Sequence, residues 1–119
     1  PPPPPPPTPR DSIRRQRQMC IRDSPHPLQV MDEIVTAVES KIEIIVDGGF
    51  RRGSDVLKGL AFGASLVGLG RPILYGLATG GESGVTDVIG GITRELSRLM
   101  TMVGASDPGK IHRDILIVD

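Results

Sequence analysis

Two short apolar runs, KIEIIVD at residues 41–47 and SLVGLG at residues 65–70, each stop at glycine, and the segment between them repeats with the period of a helix. Short β-branched runs that are almost continuously apolar are what strands buried on both faces require, and such strands belong to parallel sheets covered by helices. Parallel neighbours cannot be joined by a tight hairpin, so residues 48–64 are read as a helical crossover. Ile44, Ile45 and Val46 are expected to be buried in the first strand.

The remaining segments extend this alternation. Met31, Ile34, Val35 and Val38 recur at helical spacing and predict a helix from about Leu28 to Glu39. In the crossover, Ser54 is read as an N-cap and Asp55 as a first-turn acid, with Gly63 as the stop. RPILYGLATGG predicts an ordered segment or short helix. A last long helix is expected from Ser83 or Gly84 to Val103, with Glu82 capping it and Gly104 at the C′ position. Gly90 and Gly91 lie inside that helix, where each costs roughly 1 kcal/mol relative to alanine, so close packing is expected there. Asp107 and Pro108 read as an N-cap and first helical residue before a short final element. The order α, β, α, β, α defines an α/β class with parallel strands, shared by doubly wound sheets and (β/α)8 barrels. Two strands alone do not choose between them.

Residues 1–24 are a different kind of chain. Eight of the twelve prolines fall in the first nine positions, whereas all fifteen glycines lie beyond residue 47. Five Arg against two Asp make this segment basic, and the rest of the chain is acidic, with nine Lys or Arg against twelve Asp or Glu. Arg14, Arg15, Arg17 and Arg22 have no interleaved aromatic for base stacking, so nucleic-acid binding is not expected and the segment is read as a disordered tail. The string RQRQMCIRDS also resembles the peptide obtained when sequencing-adapter DNA is translated. On that reading residues 1–24 are non-native, the domain is residues 25–119, and the gene continues upstream. The single cysteine, Cys20, rules out an internal disulfide and fits a reduced cytoplasmic setting. No run approaches the length of a transmembrane helix.

Chemistry concentrates at the two strand ends, where ligands sit in parallel α/β folds. Asp47, Gly48, Gly49 and Arg51 follow the first strand, and Gly70 and Arg71 follow the second. Glycines let the backbone approach an anion and aim N–H groups at it, while guanidinium forks match phosphate oxygens. The N-terminus of the helix near Ser54 is expected to add its positive dipole end. The competing reading is a pair of tight turns with solvent-facing arginines.

DGGFRRGSDVLKGLAFGA, then VGLGRPILYGLATGGESGV, then ITRELSRLM resemble, in order and spacing, the C-terminal part of the FMN-dependent 2-hydroxy-acid dehydrogenase and oxidase family. That family includes glycolate, lactate and mandelate enzymes. The resemblance runs from about Pro25 to about residue 105. It implies a (β/α)8 TIM barrel of which this chain holds the sixth helix, seventh strand, seventh helix, eighth strand and eighth helix. It also implies FMN as cofactor and a small 2-hydroxy acid as substrate, with full-length relatives forming homo-oligomers. Carried over, Gly48, Gly49 and Arg51 hold the FMN phosphate, Gly70 and Arg71 complete that site, and Asp47 lies beside the ribityl chain. Arg52 is expected in a structural ion pair.

The family's proton-abstracting histidine lies in a Ser-Asn-His-Gly-x-Arg motif that this sequence lacks. His26 and His112 are read as exposed loop histidines, so no catalytic residue and no metal site is assigned. A whole barrel needs about 250 residues, so the chain is expected to be inactive alone. Inosine-monophosphate dehydrogenase and type 2 isopentenyl-diphosphate isomerase groups share the DGG and GR pattern and stand as alternatives, though RPILYGLATGGESGV points away from them. A truncated chain without independent function, with open strand edges, is the remaining reading.

Overall fold

The structure, a computed structural model, describes residues 25–39 and 41–117. The reading of residues 1–24 as a disordered, non-native tail, and Cys20 with it, lies outside the described residues. The order is helix α1 (Pro27–Val38), strand β1 (Ile45–Asp47), helix α2 (Gly53–Ala61), strand β2 (Leu66–Gly68) and helix α3 (Arg71–Met102), then 3-10 turns at Pro108–Lys110 and Arg113–Ile115. The strands are parallel neighbours paired Ile45 to Leu66, Val46 to Val67 and Asp47 to Gly68. The expected α/β alternation is therefore present.

The strands are shorter than the apolar runs and are covered on one face. Val46 is buried with Met31, Phe50 and Ala64 in a cluster that joins α1 to the sheet. Ile45 is instead 66% exposed and its partner Leu66 is 56% exposed, which corrects the expectation of burial on both faces. Side chains alternate across a strand, so covering one face leaves every second residue open. Asp47 and Gly68 share that open face with Ile45 and Leu66.

A second cluster holds α2 against α3 and the tail, built on Leu57, Ala61 and Ile111 with Leu96, Leu99 and Met100 around them. The tail is fastened by Arg113, whose guanidinium lies 4.7 Å from the centroid of the Phe62 ring and pairs with Asp32 of α1. Gly63 (φ 97°) and Gly104 (φ 75°) end their helices in the left-handed region, as expected. Asp107 caps the first 3-10 turn by accepting from the Gly109 amide at 3.0 Å.

The segment RPILYGLATGG and the last helix form one element, α3, broken at Gly81 (φ 58°, ψ −137°) into two limbs. The limbs fold back on each other. A Cβ built on Gly84 would fall 2.1 Å from the carbonyl oxygen of Gly76, whereas residues eight apart in a straight helix are separated by about 12 Å. Close packing thus falls on Gly76 and Gly84 rather than on Gly90 and Gly91. A Cβ on Gly90 would meet only Arg94 of its own helix at 3.1 Å, and one on Gly91 would meet nothing within 4 Å. Gly91→Ala is accordingly expected to raise stability by about 0.5–1 kcal/mol, read as a higher urea midpoint at unchanged slope.

Candidate functional site

Because Asp47 pairs with Gly68, the loops that follow β1 and β2 leave the sheet at the same edge. Gly48 (φ 111°) and Gly49 (φ 86°) occupy backbone conformations that residues with a Cβ rarely adopt. The start of α1 backs this turn closely. A Cβ at Gly49 would lie 2.7 Å from His26 Nε2, and one at Gly48 would lie 3.2 Å from Pro27 Cγ. His26 is exposed, as expected, but it is no idle loop residue. It is the N-cap of α1, with Nδ1 accepting from the Leu28 amide at 3.3 Å.

The next residue anchors the turn from below. Phe50 is 3% exposed and its ring lies where a Cβ on Gly59 would come within 2.9 Å. Asp47 lies across the neighbouring strand, for a Cβ on Gly68 would stand 2.9 Å from Asp47 Oδ1. A glycine at 68 therefore makes room for a carboxylate at the end of the open sheet face.

The start of α2 departs from expectation. Its N-cap is Arg52, not Ser54, and a guanidinium offers no acceptor to the helix amides. Two carboxylates supply acceptors instead. Asp55 Oδ2 accepts from the amides of Arg51 at 3.0 Å and Arg52 at 3.1 Å. Glu95, from the second limb of α3, accepts from Gly53 at 3.0 Å and Ser54 at 3.4 Å. The positive end of α2 already faces two negative groups, so it does not serve as an open anion site.

The open positive groups lie elsewhere. Among the described residues no carboxylate oxygen lies within 4.0 Å of a guanidinium nitrogen of Arg51, Arg52 or Arg71, which removes the expected ion pair of Arg52. Gly70, the exposed N-cap of α3, has nothing within 4 Å of the place a Cβ would occupy. Its carbonyl accepts from Ile73 and Leu74, while no described group accepts from the amides of Gly70 and Arg71. The helix that starts openly at this edge is α3. Arg51 lines a cleft with Pro72 and Tyr75 of the first limb and with Asp87, Ile92 and Glu95 of the second. Unpaired guanidiniums, glycines at positive φ and free amides at one sheet edge fit a phosphate-type anion.

Glu82, expected to cap the last helix, instead follows the Gly81 break inside α3, and its carbonyl accepts from Thr86 Oγ1 at 3.0 Å. No group of three metal-ligating side chains occurs among the described residues, and none of their helices is long and apolar enough to cross a membrane. Sequence reasoning missed Glu95 and the backing contact of His26. Neither has a local signal, because each acts on backbone far away in the chain.

The edge just described is that of an α/β unit suited to anion binding, and comparison with known proteins gives the family. The chain belongs to the FMN-dependent dehydrogenase family, whose profile matches residues 17–118. It is 48% identical over 89 residues to 2-hydroxyacid oxidase 2 of Rattus norvegicus, covering 75% of this chain and 25% of that protein. It is 49% identical over 89 residues to L-lactate oxidase of Nostoc sp. strain PCC 7120, covering 75% and 24%. Among solved structures it resembles mandelate oxidase with benzoyl-formic acid, with a TM-score of 0.70, 40% identity and coverage of 72% and 26%. A mutant flavocytochrome b2 with benzoylformate gives a TM-score of 0.74 at 36% identity, covering 79% and 25%. The chain spans about a quarter of the length of the relatives it matches. An α/β portion of a barrel fits this likeness.

Proposed function

We propose that this chain is the phosphate-anchoring portion of an FMN-dependent enzyme that oxidises a small 2-hydroxy acid to the 2-oxo acid. The observation that carries the reading is the shared strand end, where Gly48, Gly49 and Arg51 follow one strand and Gly70 and Arg71 follow its neighbour, with neither guanidinium paired to a carboxylate among the described residues. Gly48 and Gly49 bring backbone amides to the phosphate, Arg51 adds charge from one side, and Gly70 and Arg71 close it from the next strand. Asp47, at the end of the open sheet face, stands beside the ribityl chain. When bound, FMN supplies the acceptor for the hydride equivalent of the hydroxy acid. This chain's residues hold and neutralise the cofactor's phosphate, and none of them is assigned proton abstraction.

On this reading the chain runs from the sixth helix to the eighth helix of a (β/α)8 barrel, in a cytoplasmic homo-oligomeric enzyme. The open face of Ile45 and Leu66 then belongs to the barrel interior. With so little of the barrel, the 119-residue chain is expected to be inactive alone.

Amide NMR on the whole chain tests the reading. Inorganic phosphate and FMN are expected to shift Gly48, Gly49, Gly70 and Arg71 at millimolar concentration, and riboflavin is not. No flavin should survive gel filtration, and no 2-hydroxy acid should be oxidised. Equal shifts with riboflavin and FMN would refute the phosphate assignment, and tight stoichiometric FMN binding would refute the claim of incompleteness.

A further inference from the structure

The carboxylate of Glu95 joins two parts of the site that no local hydrogen bond connects. It sits on the second limb of α3 and accepts from Gly53 and Ser54, the residues that continue the Arg51 loop into α2. The first limb of the same helix begins at Gly70 and Arg71. The limbs are locked together at Gly76 and Gly84, whose backbones are in contact, and Val88 Cγ2 lies 2.9 Å from where a Cβ on Gly76 would be. Helix α3 is therefore a bent bracket. One arm carries the second arginine and the other grips the backbone beside the first.

The grip is also close. A Cβ on Gly53 would stand 2.4 Å from the Leu96 amide nitrogen and 2.8 Å from Ile92 O, so α2 meets α3 backbone to backbone at this point. Glu95 and Arg51 line the same cleft, yet the carboxylate is committed to helix amides and leaves the guanidinium without a carboxylate partner among the described residues. A residue so placed sets where the Arg51 loop stands relative to Arg71 and keeps Arg51 free to meet an anion.

We propose that Glu95 is a positioning residue of the phosphate site: by holding the first turn of α2 on the second limb of α3, it fixes the separation of the two arginine-bearing loops. The inference rests on the proposed phosphate reading of those loops. Glu95 does not touch the anion and carries no step of the chemistry. Its effect passes through the amides of Gly53 and Ser54 to the backbone of Arg51.

The test is a phosphate titration of the whole chain by amide NMR, comparing the native protein with Glu95→Gln. A carboxamide has one acceptor atom where the carboxylate has two, so one of the two helix amides loses its partner. Phosphate affinity is expected to fall about tenfold, the size of one lost hydrogen bond to a charged group. Hydrogen exchange at Gly53 and Ser54 should accelerate with it, while Gly109, far along the chain, stays unchanged. Unchanged affinity alongside faster exchange or a lower urea midpoint would show Glu95 to be structural only and overturn the proposal. If Glu95→Gln unfolds, Glu95→Asp, which sets the carboxylate back by one methylene, must bind phosphate more weakly than the native chain, and native affinity in that variant equally overturns the proposal. If phosphate shifts none of Gly48, Gly49 and Gly70 in the native chain, the phosphate reading falls and this inference falls with it.

Discussion

Alanine at Gly53 is expected to cost the chain about 3 kcal/mol or more. Gly53 is the first residue of α2 and is buried, so helix propensity is not what selects glycine there. The added Cβ would fall 2.4 Å from the Leu96 amide nitrogen and 2.8 Å from Glu95 Cβ. Two of the three nearest atoms are α3 backbone, which has no rotamer by which to yield. The helices must separate, and separation also withdraws Glu95 from the amides of Gly53 and Ser54 and loosens Leu57 against Leu96. A fall in Tm of roughly 12 °C or more is the calorimetric equivalent. A variant within about 1 kcal/mol of the native chain would mean that α2 and α3 do not meet as closely as described. The contrast with Gly91→Ala is informative, since the same substitution in open space on the neighbouring helix α3 should stabilise.

Removing either strand-end arginine should weaken phosphate binding by about ten- to a hundredfold, the range of a charge-assisted hydrogen bond or fork. Arg51→Gln and Arg71→Gln keep a polar side chain of similar length and remove the charge. Both arginines are exposed and neither has a carboxylate partner among the described residues, so the folded state loses no ion pair. Stability should stay within about 0.5 kcal/mol of native, which separates a binding defect from a folding defect. The native affinity should itself weaken as salt is raised, and each variant should show a shallower dependence. Phosphate titrations by amide NMR at two ionic strengths measure both quantities. An affinity unchanged in both variants would leave the arginines as solvated turn residues.

Much of this edge was legible beforehand for physical reasons that act locally. Gly48 and Gly49 stand at positive φ because the turn after β1 demands it, and Gly63, Gly104 and the Asp107-Pro108 pair punctuate their elements as their chemistry requires. The two arginines were legible as residue types at strand ends. Whether they were unpaired was not, for that depends on which carboxylates the fold brings near. Arg52 shows the same limit, since the expected ion partner does not arrive and the residue becomes a helix N-cap.

The errors share a cause. An apolar run on both faces points to a buried Ile45, but burial depends on what covers the second face, and Ile45 is exposed. Serine caps helices, which is why the sequence points to Ser54, whereas α2 already begins at Gly53 and the Val56 amide, which a cap at Ser54 would serve, donates to the Arg52 carbonyl at 3.2 Å. Gly90 and Gly91 looked like the contact glycines of α3, and the contact fell on Gly76 and Gly84 after the break at Gly81.

By itself the sequence determined the alternation of helices and parallel strands, the glycine turns that end the strands and the residue types placed there. These follow from side-chain period and backbone dihedrals, which neighbouring residues decide. Only the tertiary structure decided that Glu95 would neutralise α2, that α3 would open its N-terminus at Gly70, and that Arg51 and Arg71 would have no carboxylate partner among the described residues. Hydrogen bonds and charges are settled by which atoms come within about 3–4 Å, and the atoms that do so here are separated by tens of residues of chain.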